Sequence, residues 1–213
     1  MALTKGSQTP LDEWVLTANG SVRLGTELDV SSAYSCKLDI KVALGEAVAS
    51  TGQPEVIIQT TGEGTPAKDD WINYARVIGP SGTPVVLAVG ATEPAGETQI
   101  ACTNPATAGI DNKGKFKFIK NTTAANSEII YHSADGLDTD DFITILDGLA
   151  NEQTAAASII VDIDSATQEA VMQWSFDINC TALSRIRIIY NANNDPDGPD
   201  VYTYSAYTLN TGL

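Results

Sequence analysis

The apolar residues of this chain recur at period two, in short runs closed by Gly, Pro, Asn or Asp. In CKLDIKVAL, Cys36, Leu38, Ile40, Val42 and Leu44 alternate with Lys37, Asp39, Lys41 and Ala43. Successive side chains of a strand point to opposite faces, so this run predicts a strand with one apolar face, where an amphipathic helix would need spacings of three and four. EWVLTA, TELDVS, PEVIIQTTG, WINYARVIG, TPVVLAVG, TQIACT, KFKFIK, SEIIYHS, FITILDG, ASIIVDID, VMQWSFDIN, SRIRIIYNA and DVYTYSAYTL read the same way. Strands at intervals of roughly a dozen residues predict an all-β protein, a β-sandwich of the jelly-roll or Ig-like kind. SATQEA and a few small-residue patches are the only helical prospects, and no apolar stripe follows them.

Texture changes along the chain. Residues 88–164 are rich in Ala, Thr, Asn and Gly and carry shorter strands than either flank. The flanking strands, such as WINYARVIG and SRIRIIYNA, are longer and carry more aromatic and branched residues. This pattern predicts an outer β-sandwich built from residues 13–87 and 165–213, with residues 88–164 inserted as a small β-barrel-like subdomain whose two borders lie close together. Residues 1–12, MALTKGSQTPLD, lack periodicity and contain Gly6 and Pro10, so they are expected as an N-terminal arm. Such an arm is either a frayed terminus or an extended segment that orders against a neighbouring subunit.

A chain of 213 residues with 43% hydrophobic content can bury a core, and 18% charged residues do not point to disorder. Its 12 Lys+Arg against 27 Asp+Glu give a net charge of -15, which disfavours nucleic acid and anionic membrane as partners. With no basic-then-apolar leader and no run long enough to span a bilayer, synthesis in a cytoplasm is the expectation. Cys36, Cys102 and Cys180 are odd in number and far apart, which argues against a disulfide framework or a zinc site; Cys36, on an apolar strand face, is expected to be a buried, inert thiol.

Catalytic chemistry finds little to use. His132 is the only histidine, which removes most general-base schemes and any multi-histidine metal site, and it is expected at the surface, at a strand end. The carboxylates of DGLDTDD (Asp135, Asp138, Asp140, Asp141) and NNDPDGPD (Asp195, Asp197, Asp200) fall in turns, where Asp bonds the backbone. Asn193, Asp195 and Asp197, followed by Gly198, reproduce the first half of a calcium loop and are the metal candidates. The second half of the loop fails, since the twelfth position is Tyr204 instead of the bidentate Glu and the flanks are strands, so no cofactor is expected beyond the calcium that the first half offers. No phosphate-cradling loop, nucleophile elbow or zinc motif occurs, so no catalytic residue is expected.

Surface and assembly remain. On the arm, Thr4, Lys5, Gln8 and Pro10 are candidate contact residues. In DVYTYSAYTL, Tyr202 and Tyr204 share one face and Val201, Thr203, Ser205 and Tyr207 the other. Either a core strand or a subunit contact accounts for these three tyrosines, since an unpaired terminal strand exposing them invites aggregation. Trp14, Trp71 and Trp174 sit inside alternating strands and are expected in the core; a tryptophan left exposed would instead suit a carbohydrate-binding module.

Taken together, MALTKGSQTPLDEW with the TELDVS and KLDIK strands resembles a group of structural proteins of tailed bacteriophages. The middle, AGETQIACTNPATAG followed by ANSEIIYHSADGLDTDDFITILDGLANEQTAAASIIV, resembles a recurrent small β-module. Its usual glycine-rich entry turn reads here as the longer and more charged NPATAGIDNKGKF. The resemblance implies a virion protein, chiefly a cement or decoration protein that binds the outside of a capsid lattice. Its implied partners are the major capsid protein and its own copies, with a trimer favoured. It implies no active site. Tail, neck and head-fibre components use the same modules and are the rival implication.

Overall fold

Alternation becomes strand pairing throughout the computed structural model, which describes residues 3–16, 22–45, 53–82, 84–105, 110, 113–134, 138–139, 141–155, 157–163, 170–192 and 201–212. The strands are, in the first part, β1 (Leu3–Lys5), β2 (Thr9–Leu16), β3 (Val22–Leu24), β4 (Leu28–Asp29), β5 (Ala33–Leu44), β6 (Glu55–Thr61) and β7 (Ile72–Ile78). The middle carries β8 (Pro84–Ala88), β9 (Gln99–Ala101), β10 (Lys115–Asn121), β11 (Glu128–His132), β12 (Phe142–Thr144) and β13 (Ser158–Ile163). Then come β14 (Val171–Asn179), β15 (Arg185–Asn191) and β16 (Val201–Gly212). Two single turns of 3-10 helix, Lys68–Asp70 and Ala124–Asn126, are the only helical elements among the described residues.

The protein is an all-β fold with a β-sandwich at its centre. One sheet runs β1-β16-β5-β14, with β2 also paired to β16, and the other runs β3-β15-β6-β7, with β4 also paired to β15. Their inner faces share a core in which Cys36, Leu38, Ile40, Val42 and Leu44 of β5 meet Ile186, Ile188 and Tyr190 of β15 and Val56 and Ile58 of β6. The middle strands form sheets of their own, β11-β10-β13-β8 and β12-β9. The middle sheet begins at Pro84, a few residues before the composition changes, because β8 pairs with β13 in the register Pro84 to Ile163.

The four-stranded middle sheet is apolar on both faces. Ile119, Ile130 and Ile160 pack with Ile100 and Ile143 of the two-stranded sheet. On the opposite face Phe118 and Val161 pack with Ala43, Val171 and Tyr202, which lie on the outer face of the sandwich. The result is four layers of sheet separated by three apolar seams. Phe118 stacks on Tyr202 with ring centroids 4.7 Å apart and planes 26° apart.

The segment expected as an N-terminal arm is built into the sandwich. β1 pairs with β16 from Leu3 opposite Gly212 to Lys5 opposite Asn210, and β2 pairs with it from Thr9 opposite Tyr207 to Leu16 opposite Val201. The physical reason lies in β16, a long strand whose one edge is taken by β5. Its other edge carries N–H and C=O groups that need partners, and the first residues supply them. Pro10, which has no N–H to give, sits where the register shifts between Ser205 and Ala206. Gly6 also has a reason: a Cβ there would lie 2.3 Å from the Leu209 carbonyl oxygen.

A buried polar knot ties the sandwich sheets together. The Tyr190 hydroxyl donates to Ser205 Oγ at 2.7 Å and lies 3.5 Å from Asp12 Oδ2, while Trp14 meets the Tyr190 ring edge-on at 5.3 Å. The buried Asp12 carboxylate accepts from the Thr26 amide (3.1 Å) and hydroxyl (2.8 Å). Burial pushes the Tyr190 phenol far above its ordinary range, so it stays a donor. Truncating the carboxylate removes both Thr26 bonds and leaves a gap beside the buried Tyr190 hydroxyl. Asp12→Ala is therefore expected to lower unfolding free energy by about 2–3 kcal/mol, seen as a lower urea midpoint at unchanged m-value.

Candidate functional site

The outer face of the β14-β5-β16-β2 sheet changes character along its length. Its first row, Val171, Ala43, Tyr202 and Val15, is apolar and lies under the middle sheet. The next row is Gln173, Lys41, Tyr204 and Glu13, and here the Tyr202 hydroxyl donates to Glu13 Oε1 at 2.8 Å and Lys41 Nζ lies 5.6 Å from the Tyr204 ring centre. Further along come Asp39 with Ser175, then Lys37 with Asp177 and Thr208, then Ser35 with Asn210 and Lys5. This polar end is open. It forms a groove of about 610 Å³ lined by Lys5, Gly6, Gln8, Tyr34, Ser35, Lys37, Asp39, Asp177, Thr208 and Asn210.

Groove charges are mixed and partly used internally. Gln8 Nε2 donates to Asp39 Oδ2 at 2.8 Å, Lys37 Nζ lies 3.4 Å from Asp39 Oδ1, and Asn210 Nδ2 donates to Ser35 Oγ at 3.0 Å. Asn210 Oδ1 is buried with no partner among the described residues. The groove can hold polar chain or side chains from a partner.

The expected contact residues are divided among three places. Thr4, Lys5, Gln8 and Pro10 are exposed on β1, β2 and the link between them, and Lys5 and Gln8 line the groove. Tyr202 is buried against Phe118, and Tyr204 is half-buried in the same seam. Tyr207 packs half-buried against the sandwich core. β16 is central in its sheet, with Tyr202 buried and bonded to Glu13 and with Tyr204 and Tyr207 half-buried. The calcium candidates Asn193, Asp195 and Asp197 lie outside the described residues. Among the described residues no group of three or more His, Cys, Asp or Glu is placed to hold a metal.

Tryptophans are only half-buried. Trp14 and Trp174 pack at the margin of the sandwich core, and the Arg187 guanidinium lies 3.9 Å over the Trp71 ring, stacking on that face. All three thiols are buried, and burial raises them, Cys36 to about 12 and Cys102 to about 11, as expected for inert cysteines.

His132 corrects the expectation of a surface residue. It is fully buried in β11, with Nε2 2.6 Å from Asp138 Oδ2 and Nδ1 unpartnered among the described residues. Asp138 is no solvated turn residue either: it also accepts from the Thr144 amide at 2.9 Å and has Lys113 Nζ at 3.5 Å. The alternation of SEIIYHS places Ile130 and His132 on one face, and that face points into the seam above the two-stranded sheet. On the same face, the fully buried Lys117 and Asp162 form an ion pair. A second polar cluster stands at the far end of β10, where Asn121 Nδ2 donates to Gln153 Oε1 and Ser158 Oγ, both at 3.1 Å, and Gln153 Nε2 donates to Glu128 Oε1 at 2.7 Å.

No protein-family model matches the chain, and no curated protein matches it. Solved structures aligned with it include infectious bursal disease virus, Gx strain, at 10% identity and a TM-score of 0.23, covering 100% of this chain and 82% of that one. The VP2 subviral particle of the same virus aligns at 10% identity and a TM-score of 0.25, covering 99% and 81%. Superpositions this loose do not define a shared fold. No helix among the described residues is long and apolar enough to cross a membrane.

His132 gives the protein a pH signature. Burial lowers its pKa below the ordinary 6.5, against the upward pull of the Asp138 hydrogen bond. For Asp138, desolvation works upward, but the Thr144 amide and His132 outweigh it and the net shift is below 3.8. As pH falls through 6.5 the unfolded chain takes up a proton that the folded chain refuses, so stability declines until the folded pKa is passed. Asp138 contributes fully above 3.8 and is lost only as pH falls below that value. The expected slope in the histidine window is at most about 1.4 kcal/mol per pH unit. His132→Gln should flatten it in urea titrations at stepped pH.

Proposed function

We propose that this protein is a non-catalytic virion component, a cement or decoration protein that binds the outside of a tailed-phage capsid and stabilises it through subunit contacts. The observation that carries the assembly role is an apolar patch on the outer face of the β3-β15-β6-β7 sheet. Val22 (60% exposed) and Leu24 (55%) of β3 adjoin the half-buried Ile189 and Ile57, which follow Leu24 in one cross-strand row, while Asn191 and Glu55 separate Val22 from Ile78 (47%) in the next. The Arg76–Glu55 ion pair borders it. Contiguous apolar side chains with a polar border are the chemistry of a protein-binding surface, and they hold no group for catalysis.

Other features suit the role. A charge of -15 keeps free subunits soluble and apart before assembly. The three seams make the four layers one packed body, so a contact made at one face is mechanically supported by the rest. The phage setting rests on the sequence resemblance, with the major capsid protein as the partner and a trimer as the oligomer it implies.

Quantitative mass spectrometry of purified particles tests the assignment. A copy number equal to that of the major capsid protein, or a simple fraction of it, is expected; a handful per particle would move the protein to the tail or neck, and absence would refute the virion role. Leu24→Asp is expected to reduce particle occupancy at least tenfold, about 1.4 kcal/mol of lost affinity, with an unchanged melting temperature.

A further inference from the structure

Lys117 and Asp162 each lie one residue beyond the Phe118–Val161 pair that ends the register of the adjacent antiparallel strands β10 and β13. Both side chains are 0% exposed, and Lys117 Nζ donates to Asp162 Oδ2. Their cross-strand neighbours are apolar: Val85 of β8 beside Asp162 and Ile130 of β11 beside Lys117. Ile119 and Ile160 fill the next row on the same face. Taking an ammonium and a carboxylate out of water costs several kcal/mol per ion in effective terms, and their attraction repays this only in part. The amine of Lys117 and the carboxyl carbon of Asp162 are a nucleophile and an electrophile held in contact, with no solvent exposure at either side chain.

We infer that Lys117 and Asp162 condense to an intramolecular isopeptide bond that staples β10 to β13. The ammonium hands one proton to the carboxylate, and the freed Nζ lone pair attacks Cγ. The nitrogen then gives a second proton to the departing hydroxyl, so one Nζ–Cγ bond forms, one C–O bond breaks and one water leaves. No oxidant or reductant takes part. The product is a neutral amide, with no charge left to desolvate. Fixed apposition replaces a bimolecular encounter, which is where most of the barrier lowering would come from. His132, on the same face and held neutral by burial with Nδ1 unpartnered among the described residues, is a group able to carry the second proton.

The site differs from the docking patch, so the two readings stand or fall separately. Intact-mass spectrometry of the purified full-length protein is expected to give the sequence mass less one water, and proteolysis a branched peptide joining Lys117 to Asp162. Lys117→Met and Asp162→Ala are each expected to restore the missing water and abolish the branched peptide. A wild-type mass equal to the sequence, or a water lost equally from Lys117→Met, would overturn the inference. The wild-type measurement decides even if both variants fail to fold.

Discussion

The last strand, β16, is enclosed on four sides over its first residues, Val201 to Tyr204, and much of the architecture follows from that. β5 hydrogen-bonds one edge and β1 with β2 the other, while Val201 faces the sandwich core and Tyr202 faces Phe118. A strand buried on both faces must carry apolar or satisfied polar side chains on both. That is why Ser205 is bonded to Tyr190 on one side and Tyr202 to Glu13 on the other. Any change that leaves one of these sides uncovered exposes a twelve-residue edge or a tyrosine-rich face.

Covering is also what gives the sandwich its two kinds of outer face. Where the middle sheet sits, the face is Val171, Ala43 and Tyr202; where it does not, the same strands present Lys37, Asp39 and Asp177. β5 switches from one to the other within a few residues, by replacing charged outward residues with Ala43. The middle sheets thus mark out the groove without contributing to it.

Much of this was legible in the sequence. Period-two alternation located most strands of the sandwich and of the middle sheets, and burial repeats it plainly in β6 and β15; RIRIIYN, with Ile186, Ile188 and Tyr190 inward, is a clear case. β1 and the start of β2 escaped because alternation is masked where the inward residue is polar: Asp12 occupies a core position that its bonds to Thr26 and Tyr190 make tolerable. Lys117, His132 and Asp162 were hidden for the same reason, since nothing local announces that a charged residue will face an apolar seam. Their signal was the neighbourhood, with isoleucines at the same parity on three strands. Tyrosines of the final strand were ambiguous until its pairing was known.

Pairing of Leu3 with Gly212 sets an order in time. Strands β8 to β13 find their partners within residues 84–163, whereas the sandwich joins residues from opposite ends of the chain. Closing the longer loop costs more entropy and is slower to search. On a ribosome, every strand of the middle sheets emerges before β16 is made. The sandwich sheet is thus the part whose completion waits on β16, and Tyr202 of that strand is the residue that packs on Phe118 of the middle sheet.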